Sequence, residues 1–182
     1  MPRSRFVLST CLVSVLALVS LGAREAGAIQ IVPSIGISQT PDGENRTMMA
    51  VALRNGFLPR TQMEFQAGYR TEEMELAGES FEMKTVPLTL SLWASPIPLL
   101  YAGAGVGAYL QGIEYENNLY PASNEVQFGT HVGGGMHFSV APMVGVDLQG
   151  RYVFMNKTST EVPSGEIDPS FWSLSAGLAI GF

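Results

Sequence analysis

Seven side chains that could carry charge or proton chemistry share one alternation parity within the segments that hold them: Glu64 and Arg70, then Glu125, His131 and His137, then Asp147 and Arg151. In an extended chain, residues of one parity face one side. Each segment therefore aims these groups at a common interior. Asp147 and Arg151 are four residues apart, about 13 Å at ~3.3 Å per residue. Neither is the other's partner, and each is expected to find one on a neighbouring strand. His131 and His137 are six apart, about 20 Å, too far to share a metal ion. Such a set serves either as a proton relay along a polar path or as a plug of ion pairs, because buried charges must pair. The plug is the preferred reading, a structural interior network of Glu64, Arg70, Glu125, His131, Asp147 and Arg151. No catalytic, cofactor-binding or metal-binding residue is assigned.

The elements that position these groups are strands. From Trp172 onward the even positions are Trp172, Leu174, Ala176, Leu178, Ile180 and Phe182, and the odd ones Ser173, Ser175, Gly177, Ala179 and Gly181. That period of two gives one large apolar face and one small or polar face. The pattern recurs from Ile29 to Gln39, ending in Pro41-Asp42-Gly43-Glu44-Asn45, and from Arg46 to Leu53, ending at a tight turn at Asn55-Gly56. It recurs again in Gln62 to Arg70, Thr85 to Leu92, Leu100 to Gln111, Glu125 to Phe138 and Val144 to Phe154. With the closing segment this makes eight strands. Turns after the second, fourth and sixth are tight. Those after the third, fifth and seventh are longer and acidic, and the carboxylates Glu72, Glu73, Glu75, Glu79, Glu114, Glu116, Glu161, Glu166 and Asp168 are expected on a solvated face.

The N-terminus is a targeting segment. Arg3 and Arg5 precede an apolar run from Phe6 to Leu21 and the small-residue site Ala26-Gly27-Ala28, which predicts a cleaved secretory signal peptide over residues 1–28. Removing 28 of 182 residues leaves 154. It also takes three of the ten Lys/Arg and one of the sixteen Asp/Glu, for a net charge of −8, which excludes nucleic acid as a partner. The one cysteine, Cys11, leaves with the peptide, so disulfides are not expected. Beyond Ala28 no apolar run approaches the ~18 residues of a spanning helix. Apolar character distributed by alternation in an exported chain fits an eight-stranded antiparallel up-and-down transmembrane β-barrel over residues 29–182, every backbone hydrogen bond being made between strands. Aromatic girdles are expected at Phe128, Tyr152, Phe154 and Trp172 on the outer rim and at Phe57, Phe138 and Phe182 on the inner one. A soluble lipocalin-like periplasmic carrier is the alternative. It would need an apolar interior, whereas the small face here is Gly, Ser, Thr and Gln.

The segments Tyr101-Ala-Gly-Ala-Gly-Val-Gly-Ala-Tyr109, Val132-Gly-Gly-Gly-Met-His-Phe138 and Asp147-Leu-Gln-Gly-Arg-Tyr152, with the terminal Phe182, resemble the small outer-membrane β-barrel superfamily of the OmpA and OmpX type. The resemblance implies a monomer in the outer membrane of a Gram-negative cell, in contact with outer-membrane lipids and lipopolysaccharide. It also implies that Trp172, Leu178, Ile180 and Phe182 act as a signal read by the outer-membrane assembly machinery. A structural or surface-interaction role carried by acidic extracellular loops follows, without an open diffusion pore, since eight strands leave room only for side chains. The superfamily also includes lipid A modifying enzymes, some with a His-x-Ser pair and a carboxylate. His137-Phe138-Ser139 invites that comparison, but the pair falls beside a periplasmic turn, far from an outer-leaflet substrate. No enzyme activity is expected. The outer carboxylates could instead recruit Mg²⁺ or Ca²⁺ toward lipopolysaccharide phosphates.

Overall fold

The computed structural model describes residues 29–41, 45–76, 79–115, 123–156, 158–159 and 166–182. The expected signal peptide lies outside them. Eight strands close into one antiparallel barrel: β1 (Gln30–Gln39), β2 (Arg46–Leu58), β3 (Thr61–Leu76), β4 (Glu79–Ile97), β5 (Leu100–Tyr115), β6 (Ser123–Ala141), β7 (Val144–Met155) and β10 (Phe171–Gly181). A separate two-residue ribbon pairs β8 (Thr158–Ser159) with β9 (Glu166–Ile167). Each barrel strand pairs with the next along the chain, and β10 closes onto β1 from Gln30↔Gly181 to Gln39↔Trp172. Closure leaves the membrane-spanning sheet without an edge.

The period-two pattern sorts the side chains. Ile35, Met49, Leu90, Val106, Val132, Leu148 and Leu174 point outward and are exposed, while Arg54, Glu64, Arg70, Asp147 and Arg151 point inward and are buried. Apolar outside and charged inside is the inverse of a water-soluble barrel. Only lipid can cover such an exterior.

Three strand ends differ from the sequence expectation, all in the same direction. Asn55 and Gly56 do not form the turn after β2. They pair with Met63 and Gln62, Asn55 is buried, and the chain reverses at Pro59-Arg60 after a bulge between Gly56 and Leu58. β4 likewise runs past Ser95-Pro96 to turn at Pro98-Leu99. The acidic stretch after Arg70 is not a long loop, since β3 and β4 remain paired from Arg70↔Thr85 up to Leu76↔Glu79. Strand pairing satisfies backbone groups that a loop would leave to water, so it continues wherever side chains allow.

Three prolines lie within barrel strands; Pro96 falls in the irregular stretch between Ala94 and Ile97, whereas Pro33 and Pro87 lie inside strands of a barrel that offers no edge to hold them. The β1–β10 ladder steps from Ile31↔Ile180 to Ser34↔Gly177 across Pro33, and the β3–β4 ladder from Ala67↔Leu88 to Arg70↔Thr85 across Pro87. A ring nitrogen has no hydrogen to donate, so each proline interrupts one ladder.

Candidate functional site: the filled lumen

The lumen is packed in layers. At the middle level, Arg54 on β2 donates from Nε to Glu64 Oε2 at 2.5 Å and from Nη1 and Nη2 to the two oxygens of Asp147 at 2.6 and 2.9 Å. Tyr101 donates its hydroxyl to Asp147 Oδ1 at 2.7 Å. Arg151 donates to Glu64 Oε1, to Thr89 Oγ1 at 3.2 Å and to Gln149 Oε1 at 2.8 Å. Glu64 thus bridges two guanidiniums, and Arg54 bridges two carboxylates. Bidentate charge-assisted bonds of this kind are short and geometrically selective.

Asp147 and Arg151 both sit on β7, whose neighbours are β6 and β10. Their partners Arg54 and Glu64 come from β2 and β3, on the far side of the barrel. The expectation of partners on neighbouring strands is therefore corrected for the guanidinium–carboxylate pairs, although His137 on β6 does lie beside Asp147. Long side chains reach across a lumen of this width, and the ion pairs tie opposite walls together. The network also has a member the sequence reading missed, Arg54, placed one residue beyond the assumed end of its strand.

Beside these groups, Ser91 Oγ and His131 Nε2 are hydrogen-bonded at 2.9 Å, and Trp93 is fully buried between Tyr101 (ring centroids 5.4 Å apart) and His131 (6.3 Å). Small residues opposite make the room. A Cβ on Gly103 would come within 2.9 Å of the Trp93 ring, and one on Gly105 within 2.6 Å of the His131 ring. Trp93 and Gly103 are directly paired positions, and so are Gly105 and His131. At these two positions a glycine opposite the ring leaves the room that Trp93 and His131 need.

Toward the outer end, Tyr109, Val153, Phe171 and Met155 form an apolar layer. Above it, Arg70 pairs with Glu72 and stacks over the Phe171 ring, its guanidinium carbon 4.0 Å from the centroid. Glu72 Oε1 in turn accepts hydrogen bonds from the backbone N–H and hydroxyl of Thr40, at the start of the first loop. Glu72 was expected on the solvated face. It is 1% exposed, because strand alternation carries it inward two residues beyond Arg70. Glu125 is corrected in the opposite sense. It has inward parity but sits at the outer mouth of β6, exposed and outside the network. Toward the inner end, Val32, Ala52 and Ala179 make a second apolar contact.

Among the described residues, the buried ionic side chains other than His131 are Arg54, Arg70 and Arg151 against Glu64, Glu72 and Asp147, a neutral set. Each guanidinium also lies over an aromatic ring, those of Tyr101, Phe171 and Trp93, with the favourable cation–π contact this brings. The void between Arg54, Glu64, Asp147 and Gln149 has a volume of about 10 Å³, room for roughly one water molecule. Such an interior can hold the wall rigid.

His137 lines a hollow of about 260 Å³ at the inner mouth, with Gln30, Ser139 and Phe182. Its Nδ1 is 3.6 Å from Asp147 Oδ2. Asp147 is already engaged by Arg54 and Tyr101, and among the described hydrogen bonds none joins His137 to Ser139. Of the expected girdle, Phe128, Tyr152 and Phe154 are exposed near the outer end, and Trp172 is half-buried there, its Nε1 donating to Gln39 Oε1 at 3.2 Å. Phe138 and Phe182 are exposed at the inner end, and the side chain of Phe57 lies outside the described ones. Leu178 and Ile180 also face outward.

No known protein-family profile matches the chain, and no curated protein matches it. Solved structures do. The outer-membrane protein OprG of Pseudomonas aeruginosa superposes with a TM-score of 0.64 at 12% identity, covering 88% of this chain and 98% of that one. A major outer-membrane protein of Thermus thermophilus gives 0.61 at 14% identity, covering 86% and 100%. Ail, the attachment invasion locus protein of Yersinia pestis, in complex with the heparin analogue sucrose octasulfate, gives 0.55 at 13% identity, covering 85% and 97%. By fold the chain is an eight-stranded antiparallel β-barrel like those of these outer-membrane proteins.

Proposed function

We propose that this chain is an integral outer-membrane barrel that conducts nothing through its lumen and serves a structural or surface-interaction role at its outer end, without enzymatic activity. The observation that carries the reading is the pair of ion pairs across the lumen, Arg54–Asp147 and Arg151–Glu64, with a void of only about 10 Å³ between Arg54, Glu64, Asp147 and Gln149. The interior network is then a structural plug. Trp172, Leu178, Ile180 and Phe182 serve as the assembly signal, and the folded chain is a monomer. In planar bilayers the purified protein is expected to give no stable conductance steps. Steps of porin size in the unmodified chain would overturn the proposal.

Any interaction would fall to the extensions of β3 to β6, which are 16, 19, 16 and 19 residues long, where ~9–11 suffice to span. Glu73, Glu82 and Glu114 occupy directly opposed positions across β3, β4 and β5. A divalent cation bridging from these carboxylates toward lipopolysaccharide phosphates is the ligand inferred, since hard cations prefer oxygen ligands. A polyanion such as the one bound to Ail is not the expected ligand of so acidic a surface. Replacing the three glutamates by glutamine is expected to abolish Mg²⁺-dependent retention of lipopolysaccharide by the purified barrel. Unchanged retention would remove the cation bridge from the proposal.

A further inference from the structure

The inner rim of this barrel is built from one repeated device. Each of the three tight turns is a proline followed by one residue: Pro59-Arg60, Pro98-Leu99 and Pro142-Met143. A register shift precedes each turn, between Gly56 and Leu58, Ala94 and Ile97, and Ser139 and Ala141. In each, the carbonyl of the second turn residue accepts a hydrogen bond from a strand of the next hairpin or the closing strand. Ser95 N–H donates to Arg60 O at 2.8 Å, His137 N–H to Leu99 O at 2.9 Å, and Gly181 N–H to Met143 O at 2.7 Å. Phe182 N–H donates to Ile29 O at 2.9 Å. The turns are thus laced into a ring. The first turn residue is a proline with no N–H to satisfy, and the carbonyl of the second is bonded within the protein.

The side chains on that ring are apolar. Leu58, Ile97, Leu99, Val140, Met143 and Phe182 are each more than half exposed. Across residues 56–63, 94–101 and 138–145 the one charged side chain is Arg60. The described carboxylates other than Glu64 and Asp147 lie toward the outer end. Depth agrees with composition. From the outer girdle at Trp172 to Phe182 is ten residues, about 33 Å along a strand. At a tilt of ~40° that is about 25 Å along the membrane normal, the height of a barrel's apolar band. The band therefore reaches down to the turns. The rim continues the lipid-facing surface through Leu92, Leu100, Val144 and Ile180, all outward and exposed.

We propose that the three Pro-X turns are immersed in the inner leaflet, with the six apolar residues against phospholipid acyl chains and Arg60 extended to a lipid phosphate. Water is scarce there, so turns enter only if their backbone groups are satisfied internally, which the lacing achieves. A long cationic side chain can lie along apolar surface with its charge at the interface.

The test uses the full chain carrying Cys11→Ser and, singly, Leu99→Cys, Met143→Cys or Glu125→Cys. Each cysteine is labelled with an environment-sensitive fluorophore in phosphatidylcholine vesicles. Labels at positions 99 and 143 are expected to be quenched by acyl-chain-brominated phosphatidylcholine and protected from iodide, and the label at 125 the reverse. Iodide quenching at 99 and 143 equal to that at 125 would overturn the proposal and leave the rim as a surface for a periplasmic protein. A chain with Leu99→Asp and Met143→Asp should fold normally in detergent micelles but insert into vesicles several-fold more slowly. Unchanged insertion would also overturn it.

Discussion

Arg54 is the side chain on which the charge network turns. It contacts Glu64, Asp147 and Tyr101 while almost fully buried, so its loss removes the guanidinium from Asp147, leaves Arg151 to pair Glu64 alone, and gives the buried set an uncompensated negative charge. Breaking a buried pair by removing one partner costs about 3–5 kcal/mol, far more than the pair contributes against an apolar substitute. Arg54→Met is therefore expected to destabilise the barrel by about that amount in urea unfolding followed by tryptophan fluorescence. Glu125→Gln, at an exposed position with no place in the network, should stay within about 0.5 kcal/mol of the parent chain. Equal effects from the two would mean that the crossing ion pairs do not hold the walls together.

At the scale of the element, two of the three hairpin turns hold local strain. Arg60 and Met143 adopt φ of 61° and 64°, in the left-handed region. A side chain there costs roughly 1–2 kcal/mol relative to the right-handed conformation, and glycine escapes most of it. Arg60→Gly should raise the unfolding midpoint in detergent micelles, with a gain in stability of up to about 1 kcal/mol. A fall would mean that contacts of the Arg60 side chain outweigh the strain. The same turns show why strand ends are hard to read. Asn-Gly is a strong turn signal taken alone, but Asn55 is buried against the wall and Gly56 pairs with Gln62, because the next hairpin must be met at the right height.

For the whole molecule, closure makes stability cooperative. With β10 paired to β1 and the lumen tied across by ion pairs, no strand can leave without breaking two ladders and exposing charge to lipid. Unheated protein in mild detergent should therefore run ahead of boiled protein on a gel and co-fractionate with the outer membrane. A soluble protein with no mobility shift would overturn the membrane reading.

Alternation alone determined that Glu64, Arg70, His131, Asp147 and Arg151 face one interior and that Leu174, Leu178 and Ile180 face lipid, because a strand has a period of two whatever surrounds it. It also determined the eight-stranded count, since the polar intervals recur at regular spacing. What alternation could not determine is where each strand stops and which walls touch. Arg54, Glu72 and Trp93 all lie just beyond the last residue of an alternating run read from the sequence, and each is buried. Strand ends are set by pairing with the neighbouring strand, a long-range condition invisible to a local pattern. Pairing across the lumen is set by the barrel's closure and width, so the choice of Arg54 for Asp147 and Arg151 for Glu64 belongs to the tertiary structure. The sequence supplied the charges, and the circumference of eight strands decided which could meet.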